Sequence, residues 1–490
     1  MSVPRIRRTR IAAACLALAT AGAIALPAGT AAAAPQGAQA AGPLLSYVVN
    51  TKANHGQVQK TEREIAAAGG TVVASYEQIG VVIARSDDPG FAAALRKSNA
   101  VQSVGASRTK GILATEMDSA VERVATPAAA PSDGSEPLWA NQWDMRQIGV
   151  DRAHQTSLGS RNVVVGVLDS GVDATHEELA ANVDPSLSAS CLSGKADQTW
   201  AAWQPTTSDH GTHVAGTIAA AKNGKGIEGI APNVRIAAVK VVDDGGFIYP
   251  EYAICGFVWA GQHHFNVTNN SYYIDPWLFN CAGDPDQAAV MTGVRRAVEF
   301  SRQGGVLNVA AAGNENYDLA HKTTDTSSPD DTTPVERQID NDCLSLPTEL
   351  PGVVVTTSVG VKGDKSYYSS YGLGKATVAA PGGDRRFQIP DTPDQNGRIL
   401  STVRGGYAYM QGTSMASPHA AGVAALLAST HPWAGPDALR ALLMAQADAH
   451  ACPASFDPTG DGAYKATCEG VTAYNGFYGA GIINAAKAVR

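Results

Sequence analysis

A serine hydroxyl is a poor nucleophile until a histidine accepts its proton and a carboxylate orients that histidine. The sequence holds a stretch suited to each part. Gly412-Thr413-Ser414-Met415-Ala416-Ser417-Pro418-His419 puts a serine where a turn enters an alanine-rich apolar helix running through Val423, Leu426 and Leu427. Gly412 permits a close approach at the turn, and Pro418 fits early in a helix, where a missing N–H costs least. A hydroxyl there lies near unsatisfied backbone donors and the positive end of the helix dipole, which favours an oxyanion forming beside it. Val163-Val164-Val165-Gly166-Val167-Leu168-Asp169 has the β-branched pattern of a buried parallel strand and ends in an acid, where open α/β sheets place their sites. Ser208-Asp209-His210-Gly211-Thr212-His213 supplies a base at the start of another small-residue helix. Val306-Leu307-Asn308-Val309-Ala310-Ala311-Ala312-Gly313-Asn314-Glu315 reads as a further buried strand running into a turn.

Asp169 in Asp-Ser-Gly-Val-Asp, His210 in His-Gly-Thr-His-Val-Ala-Gly and Ser414 in Gly-Thr-Ser-Met-Ala-Ser-Pro-His together resemble the three signatures of the subtilisin-like serine proteases, in that family's order. The resemblance implies Ser414 as nucleophile, His210 as general base and then acid, and Asp169 as orienting carboxylate. Asp173, His213 and His419 match motif positions that are not catalytic. Asn314 resembles the family's oxyanion-hole asparagine, with the Ser414 N–H as second donor. Ser271 aligns with the family's substrate-binding strand, but Asn269-Asn270-Ser271-Tyr272-Tyr273 stands where Ser-Leu-Gly-Gly is usual. The tyrosines are therefore expected to narrow the cleft or redirect its loop. Glu315 adds a carboxylate near the expected pocket, giving an expected P1 preference for large apolar or aromatic side chains with tolerance of basic ones.

The implied function is a secreted serine endopeptidase that forms an acyl-enzyme on Ser414 and is autoprocessed from a proenzyme. The alternative is a catalytically silent or narrowly specific processing member of the same fold. An α/β-hydrolase esterase is disfavoured because the serine motif lacks the second glycine of Gly-x-Ser-x-Gly and the triad order differs. Zinc catalysis is disfavoured because His210-x-x-His213 lacks the glutamate of a zinc-protease helix and the cysteines lack paired Cys-x-x-Cys units. No catalytic metal or other cofactor is expected. The resemblance is compatible with a structural calcium at Glu178 and Asn223-Gly224-Lys225-Gly226, but Glu178 replaces the usual Asp and no N-terminal Gln matches. Glu178 is therefore read as a solvent-exposed acid.

These residues need a large scaffold, and 490 residues with 44% hydrophobic composition supply one. Residues 1–34 carry Arg5, Arg7, Arg8 and Arg10, an apolar run from Ile11 to Leu26 and Ala-x-Ala choices, the pattern of a secretory signal peptide. Residues 35–105 contain a β-α-β-β-α-β order, with strands at Leu45–Val49, Thr71–Ser75, Ile79–Ala84 and Val101–Val104 and helices at Gln57–Ala68 and Pro89–Lys97. That order predicts a small ferredoxin-like α+β fold, and its position resembles a subtilisin propeptide, which assists folding and inhibits the enzyme. Residues 106–137, rich in Ala, Pro, Ser and Gly, read as an exposed processing linker. Residues 138–490 alternate apolar strands with helices, at Val163–Leu168, Val234–Val242, Asn266–Asn269, Val306–Ala310 and Val353–Val359. This pattern predicts an α/β domain, a doubly wound, mostly parallel sheet with helices on both faces. Tyr478-Gly479-Ala480-Gly481-Ile482-Ile483-Asn484-Ala485-Ala486 resembles the family's closing helix, with no further domain expected after it.

Without Cys15 in the signal, six cysteines remain, an even set that reads as disulfides in an exported protein, with Cys452–Cys468 the first pair to name. Thr323–Asp342 and Gly382–Asn396 read as polar surface loops near the cleft. The net charge is −8; residues 1–115 hold twelve Lys and Arg against five Asp and Glu, leaving the rest at −15. Such a surface repels nucleic acid and anionic membranes, and no later run is apolar for long enough to span a bilayer. Expected partners are protein or peptide substrates and the chain's own propeptide, on a monomer.

Overall fold

The computed structural model describes residues 42–111, 122–124 and 135–490, so the signal-peptide reading and much of the linker fall outside the described residues. Strands Leu45–Asn50, Thr71–Tyr76, Val81–Ser86 and Ser103–Ala106 pair antiparallel in the order second, third, first, fourth, with helices His55–Ala67 and Phe91–Leu95 in the expected sequence. Asn54 caps the first helix by accepting from the Gln57 N–H, and its buried Val58, Thr61 and Ile65 recur at helical spacing. Val49, Val82, Ala84 and Val104 close one face of this sheet with Phe91. The two-residue period sends Val48, Val81 and Ile83 to the other face. There, with Ile79, they join the apolar core of helices Pro250–Gln262 and Pro285–Gln303, among Tyr252, Ile254, Val290 and Val294. The third strand starts at Val81 rather than Ile79 because Gly80, at φ +61°, turns the chain.

The large sheet has seven strands, all parallel, in the order Val378–Pro381, Val354–Val359, Leu307–Ala311, Val267–Asn270, Val164–Asp169, Arg235–Lys240, Ala189–Ser190. The five expected strands are its five central ones. Alternation along Val164–Asp169 sends Val165 and Val167 to a core with helices His210–Ala219 and Thr413–Thr430, and Val164 and Leu168 to the core with Pro250–Gln262 and Pro285–Gln303. Helices thus cover both faces. Connections leave Val164–Asp169 in opposite directions, which opens a crevice beyond its carboxyl end.

Several expectations are corrected. The linker is not simply exposed: Ser107 and Arg108 are buried, and Glu122–Val124 adds a strand to Gly406–Met410, which itself pairs with Ile399–Val403. The loop over residues 323–342 is exposed over 332–336 and 340–342, as expected, but buries Asp325, Ser328 and Asp331, because Thr324–Asp325 pairs with Arg337–Gln338 and Cys281–Cys343 ties its end. Residues 382–396 likewise bury Asp384, Gln388 and Thr392. The closing helix spans only Ala485–Ala488, capped by Asn484. Cys452–Cys468 pairs as expected, alongside Cys191–Cys255 and Cys281–Cys343. No helix among the described residues is long and apolar enough to cross a membrane.

Candidate active site

Three neighbouring strands deliver side chains to one edge of the large sheet: Asp169 ends its strand, Ser271 follows Val267–Asn270, and Asn314 follows Leu307–Ala311. Helices His210–Ala219 and Thr413–Thr430 pack against each other and begin at that edge, so each presents its N-terminus there. Gly211 lets the first come close, since a Cβ on it would lie 2.3 Å from the Gly171 carbonyl and 3.1 Å from the Asp169 side chain.

Asp169 is 1% exposed. Its carboxylate accepts from His210 Nδ1 at 2.8 and 3.0 Å and from the Ser170 N–H at 2.7 Å. The bond assigns the proton to Nδ1 and leaves Nε2 as an acceptor. Burial works against a charged His210, but the charge and hydrogen bond of Asp169 outweigh it and hold the imidazole pKa above its ordinary value.

Ser414 Oγ donates to the Ser271 carbonyl at 3.1 Å, so in this conformation its proton is not given to His210. Ser271 in turn donates to the Ser414 carbonyl at 2.8 Å and accepts from Asn269 Nδ2 at 2.8 Å. The Ser271 side chain, expected at the substrate, is therefore committed to holding the turn around Ser414. Asn314 Oδ1 accepts from Thr413 N–H at 2.8 Å and Thr413 Oγ1 at 2.9 Å. That fixes the amide so that Nδ2 remains to donate. Glu315 folds back to accept from the Asn314 N–H at 2.8 Å.

The other motif residues have different surroundings. His213 is fully buried, with Nε2 3.1 Å from the carbonyls of Ile399 and Ala408, and burial pushes its pKa down to about 3. His419 lies between the Met415 carbonyl at 2.8 Å and Asp144 Oδ2 at 2.9 Å, also buried. Asp173 accepts from Thr175 N–H and Oγ1 and shapes a turn.

A profile of the subtilase family matches residues 160–481. The chain belongs to the subtilase family of serine peptidases. It is 30% identical over 329 residues to fervidolysin of Fervidobacterium pennivorans, a match covering 64% of this chain and 41% of that protein. It is 31% identical to subtilisin NAT of Bacillus subtilis subsp. natto, covering 59% of this chain and 61% of that one. The chain thus spans less than two thirds of the length of these relatives. The solved structure of the epidermin leader peptide processing serine protease of Staphylococcus aureus shares the fold, with a TM-score of 0.66 at 21% identity over 91% of this chain and 98% of that one.

Within this subtilase frame, a cleft of about 390 Å³ opens beside Ser414, lined by Ser271, Tyr272, Tyr273, Asn314 and Glu315. The tyrosine hydroxyls are held by protein acceptors, Tyr272 by Asn270 Oδ1 at 3.1 Å and Tyr273 by Asp330 Oδ2 at 2.6 Å. Asp275 and Asp330 also line the cleft. Burial, and then the neighbouring Asp330 charge, push the Asp275 carboxyl well above the usual carboxylate range. Sequence reasoning missed this pair: its members are far apart in the chain, and Asp330 falls in a stretch read as a surface loop.

Glu178 is corrected as well. It is fully buried; its Oε1 accepts from Tyr407 OH at 2.8 Å and Ile227 N–H at 3.1 Å, while Oε2 has no partner. Burial is the main reason its pKa is pushed up to about 7, and the Glu136 charge adds to it. Glu136, whose Oε1 accepts from Gly224 N–H at 2.9 Å, leaves its Oε2 buried and unpartnered too. Two such orphaned carboxylate oxygens fit a hard cation such as calcium, which takes oxygen ligands. Among the described residues no group of three or more His, Cys, Asp or Glu is arranged to hold a metal, so further ligands would come from backbone carbonyls or water.

Proposed function

We propose that this chain is a secreted serine endopeptidase, made as a proenzyme, with Ser414 as nucleophile, His210 as base and acid, Asp169 as orienter and Asn314 as oxyanion donor. The observation that carries the reading is the Asp169–His210 bond at 2.8 Å, on the sheet edge where the Ser414 helix begins. Rotation about the Ser414 side chain exchanges the Ser271 carbonyl for His210 Nε2, which removes the hydroxyl proton as Oγ attacks a peptide carbonyl. Asn314 Nδ2 and the Ser414 N–H donate to the resulting oxyanion. The imidazolium, steadied by Asp169, protonates the leaving amine, and water hydrolyses the acyl-enzyme by the same route in reverse.

The apolar lining of the cleft, Phe247, Leu278 and Ala311, supports the large apolar P1 side chains expected from sequence, and Glu315 supports tolerance of basic ones. Residues 35–105 act as the inhibitory propeptide, cut by the enzyme between Ala106 and Trp139. A calcium ion would be held by Glu178 and Glu136, where it would neutralise buried charge and take no part in the chemistry. The test is a fluorophosphonate probe on the full-length protein. Wild type should be labelled while Ser414→Ala is not and accumulates uncut; equal labelling of the two, or of neither, would sink the reading.

A further inference from the structure

The chain leaving the N-terminal module does not hang free. Arg108 is 5% exposed and its Nη2 is paired with Glu251 Oε1, on a carboxylate that is 1% exposed at the start of helix Pro250–Gln262. Its guanidinium carbon sits 3.7 Å above the ring centre of Tyr249 and 5.7 Å from that of Tyr252, whose hydroxyl is 3.4 Å from Nη2. The three side chains that hold the guanidinium, Tyr249, Glu251 and Tyr252, belong to the catalytic region, while the cation comes from the segment ahead of it.

The next residues continue along the same surface. Asp331 accepts from the Thr109 N–H at 2.9 Å and the Lys110 N–H at 3.4 Å, and also receives the Thr109 hydroxyl. The Lys110 ammonium then lies 4.1 Å above the ring of Phe247, which stacks on Tyr249 and itself lines the cleft that holds Ser414. Arg108 and Lys110 therefore place the segment between the Glu251 socket and Phe247 of the Ser414 cleft, and Gly111 then lies beside Pro43.

Among the described residues, Arg108 is the cation paired with Glu251. Without it, a carboxylate sealed from water between aromatic rings would lack a counter-ion, a costly state that a guanidinium relieves and a neutral side chain cannot. Lysine would bring the charge but not the planar face that stacks on Tyr249.

We propose that Tyr249, Glu251 and Tyr252 form an arginine-selecting subsite, filled here by the chain's own Arg108 and taken over by substrate after that segment leaves. The preferred substrates are peptides and proteins with an arginine at a fixed position upstream of the cleaved bond, in the register that Arg108 marks. This inference rests on the peptidase reading above and deepens it.

The test uses full-length protein after its own maturation, with fluorogenic peptides in which arginine, lysine or alanine is stepped through each position upstream of one scissile bond. At one register arginine should raise kcat/KM by roughly 30-fold or more over alanine, the usual consequence of completing a buried charge pair, with lysine between them. In Glu251→Gln that ratio should shrink to within about 5-fold, as expected for a neutral hydrogen bond in place of a charged one. Because a buried substitution can disturb folding, a second measurement follows amide exchange over residues 104–111 in full-length Ser414→Ala. Adding Arg108→Ala should speed it, and unchanged protection would count against the socket. Wild type that cleaves casein yet shows no arginine preference at any register overturns this inference alone. Wild type that cleaves neither casein nor any peptide removes the peptidase reading and this inference with it.

Discussion

His210 ties the rate to pH in a direction the geometry fixes. The base must be neutral to accept the Ser414 proton, and Asp169 holds its pKa above the ordinary value, so the acid limb of the kcat/KM profile should lie above that of a free imidazole. Asp169→Asn should lower kcat by about 10⁴-fold and move any residual acid limb down in pH. Asn314→Ala should cost roughly 100–1000-fold in kcat with little change in KM, the loss that removing such a donor causes in subtilisin itself. Glu178 gives a stability test. Its unfolded pKa is near the ordinary 4.5 and its folded value is about 7. The native state therefore binds the proton more tightly, and stability declines as pH rises from below 4.5 through 7, by about 3 kcal/mol when complete. Thermal melts of wild type should lose stability over that window, and Glu178→Gln should lose less. At pH 8, calcium should raise the wild-type melting temperature by relieving the same penalty, with no such gain in the variant. Local sequence put Asp169 and His210 in motifs expected to meet, and they do. It could not show that Glu178 is buried, because that depends on Tyr407, 229 residues further along.

At the scale of strands and helices, the five central parallel strands were legible because strands buried on both faces read as unbroken apolar runs. Ala189–Ser190 and Val378–Pro381 were not, being too short to show a period. The N-terminal module was legible in order but not at every boundary: the Pro89–Lys97 helix contracts to Phe91–Leu95, and the strand expected from Val101 begins at Ser103. The stretch 323–342 was read as surface from its polarity, which holds for 332–336 and 340–342 but not for the part that packs inward. Glu336, Asp340 and Asp342 are indeed exposed, whereas Asp325 is buried against Arg337 and Asp331 against Thr109. Of the three disulfides, only the short loop from Cys452 to Cys468 could be named from spacing. Replacing both cysteines by serine should cost about 3 kcal/mol, as for other loops of that length, measured by denaturant melts, with kcat/KM unchanged.

For the molecule as a whole, the decisive surface is the one between the N-terminal module and helices Pro250–Gln262 and Pro285–Gln303. Arg296 Nη1 donates to the carbonyls of Thr51 at 2.8 Å and Gly80 at 2.9 Å, and its Nη2 to Gln102 at 2.7 Å. Asn50 Nδ2 donates to the Ala289 carbonyl at 2.8 Å. In full-length Ser414→Ala, Arg296→Ala should loosen this docking and open the module to added protease several-fold faster, read as the rate at which residues 42–111 are lost. None of these contacts was visible in sequence, since each joins residues at least 194 apart. The strand order of the large sheet carries a further consequence, one of timing. Its central strand, Val267–Asn270, pairs with Val164–Asp169 on one side and Leu307–Ala311 on the other, so the sheet cannot close until long stretches of chain have been gathered. The antiparallel module needs only its own sixty or so residues and leaves the ribosome first, so it should be folded while the sheet is still searching. Val48, Ile79, Val81 and Ile83 would then offer a ready-made apolar platform on which the two helices land, so that the slowest pairing begins from a surface instead of from open solution.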